Sequence, residues 1–251
     1  MSLTPPSDAP AGPGPVRQLS LFGTEAADPS PADLAGLLAG PAEIVRMGGT
    51  ARLSVVVDVA WRVHVLVAEL ARRGLNASWE ATGDRHRVRT SYTSALAPLA
   101  AAWLPGGPVP DDPQPGATEV LGSPRVPASD GPGAEGKGRV AGPPVVGEDP
   151  VRKGPPATFH LNGRRLRLWL AAAGVAEPSG FRLHLGPADE PCWEPVGRAL
   201  AAVGLPGIFL DEATGGPAYR ISGRRRLTRL AELVGDRPTA APAIEWPSGP
   251  T

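Results

Sequence analysis

The sequence of 251 residues contains one cysteine, few aromatic residues and no net charge. The single cysteine, Cys192, excludes an internal disulfide and a zinc site built from several cysteines, which is typical of the reducing cytoplasm. The formal charge of zero gives no indication that the whole chain binds a membrane surface or a nucleic acid. No apolar run reaches the roughly 20 residues that span a bilayer, and no secretory signal is visible. We therefore expect a cytoplasmic protein that contacts no membrane.

Sequence motifs of common enzymes are also missing. The four histidines have no metal-ligand spacing, and no phosphate-binding glycine loop, dinucleotide fingerprint or Ser-His-Asp order is present. Cys192 lies beside Trp193, without a histidine or aspartate pattern around it, and is expected to be a packed thiol. The sequence thus predicts no catalytic residue, no metal ligand and no cofactor.

Glycine and proline are abundant, with 32 of each, and their uneven distribution divides the chain. Segments rich in both residues cannot bury enough apolar area to offset the entropy lost on ordering. They predict a disordered tail at 1–31, a disordered linker at 105–156 and a second disordered tail at 238–251. The remaining ranges, 32–104 and 157–237, are patterned like folded modules.

The charges follow the same division. The first module contains eight arginines and six acidic residues, and the range 152–237 contains thirteen basic and eight acidic residues. The folded parts are therefore predicted to be positively charged, although the chain as a whole is neutral.

The two modules show the same order of elements. Each begins with an apolar helix of small residues, ADLAGLLAGPAEI in the first module and RLRLWLAAAGVAE in the second. Each central helix ends at a Gly-Leu pair, where glycine suits a left-handed C-terminal position. The matching strands and helices lie at 51–58 and 181–186, at 60–75 and 191–205, and at 85–91 and 217–223. Each module is predicted to have the order αββαββα.

This paired order resembles the LAGLIDADG homing-endonuclease family in its single-chain form with two repeats. Residues 34–40, LAGLLAG, match the first half of the family motif, and residues 168–174, LWLAAAG, match it more loosely. The resemblance implies an α+β fold in which small residues let the two motif helices pack closely. It also implies that two four-stranded sheets form a saddle along DNA, in a monomer with an internal pseudo-twofold axis.

Strand side chains of such a saddle face the major groove, where phosphate contacts position the protein and base contacts specify the site. Arg85, Arg87 and Arg89 alternate along one strand and should point to one face. A further three arginines begin the closing helix, and helix N-termini attract phosphate. The candidates for contact with double-stranded DNA are Arg52, Arg85, Arg87, Arg89, Arg182, His184, Arg220, Arg224, Arg225 and Arg226. A solvated sheet face and a solvated basic turn are the alternative interpretations.

Each motif helix of a cleaving family member ends in an acid that holds a divalent cation beside the scissile phosphate. This sequence has Pro41 and Ala173 at those positions, and neither side chain can bind a metal. The resemblance therefore favours a protein that is not an enzyme, similar to the non-cleaving WhiA relatives. Two alternatives stay open: a divergent endonuclease that uses Glu43 and Glu177, and a WhiA-like transcription regulator.

An apolar pentapeptide, QLSLF, lies within the predicted N-terminal tail. Gln18, Leu19, Ser20, Leu21 and Phe22 resemble the motif by which bacterial polymerases and repair proteins dock on the replication sliding clamp, the beta subunit of DNA polymerase III. A disordered, Pro/Gly-flanked tail would leave such an anchor accessible. The alternative is that these side chains fold back onto the first module. We expect a nucleoid-associated accessory protein of DNA replication or repair.

Overall fold

The computed structural model describes residues 28–104, 153–157 and 159–248 of the chain. These residues form six α-helices and two four-stranded antiparallel sheets, so the predicted α+β class is confirmed. The pentapeptide at 18–22 and most of the predicted linker, 105–152, lie outside the described residues.

In the first half, a 3-10 turn at Pro31–Leu34 precedes the first helix. The elements that follow are α1 (Ala35–Ala39), β1 (Glu43–Met47), β2 (Thr50–Val57), α2 (Ala60–Ala71), β3 (Ala77–Thr82), β4 (Arg85–Thr90) and α3 (Ala97–Trp103). In the second half they are α4 (Gly163–Ala173), β5 (Gly174–Glu177), β6 (Gly180–His184), α5 (Glu190–Ala202), β7 (Ile208–Leu210), β8 (Ala218–Ser222) and α6 (Arg224–Val234).

The two sheets have the same strand order, β1-β2-β4-β3 in the first half and β5-β6-β8-β7 in the second. Strand β2 shows why each sheet has one covered face: Ala51, Leu53, Val55 and Val57 are buried, and the residues between them are not. This alternation is expected for a sheet with one face on the core. The helices therefore pack on one face of each sheet and leave the other face open.

The central helices α2 and α5 end as the sequence predicts. Gly74 and Gly204 follow them with φ values of 70° and 82°, a left-handed conformation that glycine adopts without a steric penalty. Leu75 and Leu205, next in the chain, are buried in the core. Both Gly-Leu pairs thus end a helix and return the chain to the interior.

Helices α1 and α4 pack against each other, and most of their residues are buried. Gly36 marks the closest approach: a Cβ atom there would lie 1.9 Å from the carbonyl oxygen of Arg165. Only a residue without a side chain allows the two backbones to come so near. We call this contact between α1 and α4 the seam.

Both motif helices are shorter than the sequence predicts. The predicted helix 32–44 ends at Ala39, because Pro41 disfavours helical backbone at Gly40, and Glu43 already begins β1. The predicted helix 165–177 ends at Ala173, and residues 174–177 form β5. The apolar composition of these stretches concealed a change from helix to strand.

The prediction of a disordered tail from residue 238 is wrong as far as residue 248. Ala241 and Trp246 are almost fully buried, at 1% and 3% exposure. The Trp246 indole N–H donates to the carbonyl oxygen of Gly235 at 3.3 Å, and the Arg167 guanidinium lies 5.1 Å from the indole ring centre. A single tryptophan supplies enough apolar area to hold this proline-containing segment against the core.

The predicted linker, 105–156, also ends earlier than expected. Residues 153–156 belong to the described part of the chain, and Lys153 is buried. The Gly154 N–H donates to the carbonyl oxygen of Trp103 at 2.8 Å. The chain therefore leaves the first half at Leu104 and returns at Lys153 to a neighbouring point.

Replacing Gly36 with alanine should destabilise the fold by about 3 kcal/mol, because the added methyl group meets the Arg165 backbone rather than a movable side chain. The better helix propensity of alanine, about 1 kcal/mol, offsets only part of such a clash. Urea unfolding of the wild type and of Gly36→Ala measures the difference. Gly49→Ala is the matched control, since a Cβ there has no heavy atom within 4 Å. Equal midpoints for both variants would contradict the close seam.

Candidate nucleic-acid interface

The open face of the first sheet is lined by arginines. Arg85, Arg87 and Arg89 alternate along β4 with the more buried His86, Val88 and Thr90, so the three guanidinium groups share the open face as predicted. Arg52 on β2 lies on the same face. Its side chain points to the same side as that of Ser54, two residues further along the strand, and Ser54 is the register partner of Arg89. Four arginines therefore project from two adjacent strands.

These arginines are only loosely paired. The Glu80 carboxylate lies 3.3 Å from an Nη atom of Arg89 and 4.0 Å from one of Arg87, and all three side chains are more than 40% exposed. Ion pairs with this exposure contribute about 0–1 kcal/mol. Arg52 lies over the Tyr92 ring, with 4.8 Å between its guanidinium carbon and the ring centre. All four groups are thus available to an anionic ligand.

The open face of the second sheet is more neutral. Arg182 on β6 and Arg220 on β8 are register partners, and both bind the carboxylate of Glu177; the Nε atom of Arg220 donates to it at 2.8 Å. Burial by itself raises the pKa of Glu177, but the hydrogen bonds and charges of the two arginines outweigh it and lower the pKa below its usual value. Glu177 therefore stays ionised and neutralises part of this surface.

His184 ends β6 on the same open face and is partly buried. Burial and the nearby charges of Arg182 and Arg62 lower its pKa below that of an exposed histidine. The imidazole is therefore neutral at pH 7 and contributes hydrogen bonds rather than charge.

Arg224, Arg225 and Arg226 form the first turn of α6, which begins after Gly223 without a side-chain cap. Arg224 and Arg225 are exposed, and Arg226 donates to the carbonyl oxygen of Ser222 at 3.4 Å. Together with Arg229, which no sequence pattern indicated, they line a groove of about 1190 Å³ beside the end of α5. The groove is a second basic surface.

The C-terminal end of α1 is covered by a buried lysine. The Lys153 ammonium donates to the carbonyl oxygens of Gly40, at 2.8 Å, and of Ala42, and it lies 2.9 Å from the Asp189 carboxylate. These carbonyl oxygens flank Pro41, where a cleaving family member would carry an acid. A cation suits the negative end of the helix.

The C-terminal end of α4 is covered in the same manner by Arg62 of α2. Its guanidinium donates to the carbonyl oxygens of Leu170, at 3.2 Å, of Ala171, at 3.0 Å, and of Gly174. The Asp58 carboxylate lies 3.1 Å from its Nε atom. The carbonyl oxygens that Arg62 binds lie on either side of Ala173 in the chain, the second position at which the family motif has an acid. No local sequence pattern could have identified Arg62 or Lys153, because each contacts residues more than 100 positions away.

The two glutamates of the endonuclease alternative have different surroundings. Glu177 is bound to Arg182 and Arg220, and Glu43 is an exposed residue at the start of β1. Within the described ranges, no three His, Cys, Asp or Glu side chains are grouped as metal ligands. Cys192 is buried, its thiol donates to the carbonyl oxygen of Lys153 at 3.5 Å, and burial raises its pKa to about 11. It is the packed thiol that the sequence predicts.

No protein-family model matches the chain, and no curated protein matches it. In the part of the chain that the structure describes, every helix is too short or too polar to cross a bilayer.

The lowered pKa of His184 predicts a loss of stability on mild acidification. Below about pH 6.5 the unfolded chain takes up a proton at this histidine, whereas the folded protein resists protonation. The free energy of unfolding therefore decreases as the pH is lowered. Urea unfolding at pH 7.5 and pH 5.5 should show a smaller loss in His184→Gln than in the wild type. His64→Gln, on the exposed side of α2, is the control and should follow the wild type. Identical pH dependence of His184→Gln and wild type would refute the assignment.

Proposed function

We propose that this chain is a non-catalytic, DNA-associated accessory protein of bacterial replication or repair. In this proposal two LAGLIDADG-like repeats form a saddle on double-stranded DNA, and the N-terminal pentapeptide docks on the sliding clamp. The observation that carries the DNA half is the open sheet face with Arg52, Arg85, Arg87 and Arg89. The equal strand orders of the two sheets and the small-residue seam support the family resemblance.

The charge of the first sheet suits a phosphate backbone. Four exposed or half-exposed arginines share the face with two acidic residues, Glu43 and Glu80. Because the pairing with Glu80 is weak, a phosphate can replace that carboxylate at little cost. The second sheet would bind less strongly, since Glu177 already occupies Arg182 and Arg220.

The absence of cleavage in this proposal rests on the two helix ends. Metal-dependent cleavage in the family needs acids where this chain has Pro41 and Ala173. The backbone oxygens around these positions are instead bound by the Lys153 ammonium and the Arg62 guanidinium. A divalent cation would have to displace these groups, each of which also pairs with a carboxylate, Asp189 for Lys153 and Asp58 for Arg62.

The pentapeptide supplies the clamp half of the proposal. Five residues separate Phe22 from Asp28, where the described chain begins. Fully extended, this stretch would span at most about 22 Å. An anchor on such a short connection would hold the folded halves close to the clamp, where DNA passes. The two contacts together would bind more tightly than either one alone.

We expect the purified chain to bind the clamp with a dissociation constant in the micromolar range, since the ordering of a short peptide offsets part of its anchor burial. A Gln18→Ala, Leu21→Ala, Phe22→Ala triple variant should lose this binding in a surface plasmon resonance assay. The matched control, Val16→Ala with Thr24→Ala, changes the same tail outside the motif and should bind like the wild type. Equal binding by the triple variant, or no binding by the wild type, would remove the clamp from the proposal.

Arg87→Gln should weaken binding to a 20-base-pair duplex about threefold to tenfold in fluorescence anisotropy. The slope of log affinity against log salt should fall by about 0.9, as expected for one lost phosphate contact. Arg198→Gln is the control, because Arg198 is an exposed arginine on α5 that also pairs with a glutamate. If both variants weaken binding equally, the sheet face is not the interface.

A further inference from the structure

An exposed tryptophan lies at the edge of the first sheet. Trp79 is in the middle of β3, the edge strand that pairs with β4, and it is 54% exposed. The other five tryptophans of the chain are buried or half-buried. Tryptophan is enriched at binding interfaces, because its ring offers a large flat surface to a partner. The position of Trp79 therefore calls for a ligand.

The indole of Trp79 points to the side of the sheet on which the helices pack, but more than half of it stays uncovered. Its register partner is Val88, which is fully buried, and partners in a β ladder point to the same side. Among the described residues, the one aromatic ring in contact with Trp79 is that of His86. The two ring centres are 5.7 Å apart, and the rings are nearly perpendicular, at 79°.

The equivalent aromatic residue of the second half has more neighbours. Phe209 and Trp79 each lie five residues after the glycine that ends the preceding helix, and both are on edge strands. The Phe209 ring lies 5.4 Å from the ring of Trp193 and 5.6 Å from that of Tyr219, its register partner. The first half has Val88 at the place of Tyr219. The same strand position thus has a ring with two aromatic neighbours in one half and a free indole in the other.

Positive charge lies on the other face of the sheet beside Trp79. Its chain neighbours Ser78 and Glu80 are the register partners of Arg89 and Arg87 on β4. Because successive strand residues alternate between faces, these guanidinium groups project from the open face and the indole from the opposite one. A nucleic-acid strand whose phosphates contact the arginines therefore meets the indole if it passes over the edge of the sheet.

The apolar surface around Trp79 is small. Its neighbours on the same face of β3 are Ala77 and Ala81, and the exposed Val45 and Met47 are on β1 at the opposite edge of the sheet. A stable protein partner needs an interface of about 1,200 Å² or more, whereas a nucleobase needs only one flat ring. Together with the arginines, this favours a base over a protein.

We propose that Trp79 is a stacking platform for one unpaired base at a junction between double-stranded and single-stranded DNA. The inference rests on the proposed contact between DNA and the arginine face, and it names the kind of DNA: a duplex that continues as a single strand. Bases inside a duplex are already stacked on their neighbours, so only an unpaired base offers a face to the indole. Stacking on an aromatic side chain tolerates every base. Trp79 therefore recognises the structure of the DNA and not its sequence.

Fluorescence anisotropy with two labelled DNAs tests the platform. One is a blunt 20-base-pair duplex, and the other is the same duplex with a single-stranded extension of about eight nucleotides. The wild type should prefer the extended DNA. In Trp79→Ala this preference should fall about fivefold or more, to the part that the additional phosphates contribute, while affinity for the blunt duplex stays unchanged. Ile244→Ala removes an exposed apolar side chain outside both sheets and should keep the full preference.

Tryptophan emission gives an independent readout, because Trp79 is the most exposed of the six tryptophans. Stacking on a base should quench its emission when the wild type binds the extended DNA, and the blunt duplex should cause much less quenching. Trp79→Phe retains an aromatic ring, so it should keep most of the preference and lose the quenching. The unfolding temperatures of both variants verify that they fold.

The remaining outcomes separate this inference from the proposed function. Equal preference in the wild type and Trp79→Ala would overturn the platform, although binding of the blunt duplex would still support the arginine face. Equal weakening of both DNAs by Trp79→Ala would also overturn it. Binding of the extended DNA alone, sensitive to Trp79→Ala, would support the platform and contradict the saddle on duplex DNA. A dimer of the wild type that Trp79→Ala abolishes would assign the indole to a contact between copies and overturn the inference.

Discussion

The backbone contact between Gly36 and Arg165 is the constraint on which the arrangement of the two halves depends. Since no side chain fits between the helices there, α1 and α4 lie close enough for their apolar residues to share one core. The same closeness places the two helix ends beside residues of the opposite half. Arg62 of the first half reaches α4, and Lys153, next to the second half, reaches α1.

Helix α4 has positively charged side chains at both ends, and only those at the C-terminal end are favoured by the helix dipole. At the C-terminal end, the last carbonyl oxygens have no partner within the helix and favour a cation. The buried guanidinium of Arg62 donates hydrogen bonds to them. At the N-terminal end, arginines gather although the helix dipole disfavours positive charge there, and the buried carboxylates of Asp33 and Glu69 hold them in place. At both ends, the charged groups are held by partners from neighbouring elements of the fold.

The sequence predicts the class of fold, the central helices that end at Gly-Leu pairs and the shared face of Arg85, Arg87 and Arg89, because these depend on local periodicity and turn residues. Strands β1 and β5 could not be separated from the motif helices, since short apolar runs suit either structure. The neutralisation of Arg182 by Glu177 and the capping of α4 by Arg62 depend on tertiary contacts that no spacing reveals. The proline content of residues 238–248 concealed the anchoring effect of Trp246.

The hydrogen bond between Gly154 and Trp103 has a consequence for how this chain can change over time. Since the described residues on either side of positions 105–152 lie beside each other, a change in the number of residues between them does not require the two halves to move. The entropy of closing such a loop grows only slowly, by about 0.6 kcal/mol for each doubling of its length. That stretch is therefore a place where the protein can acquire or lose sequence, even a whole additional module, while the common core is kept.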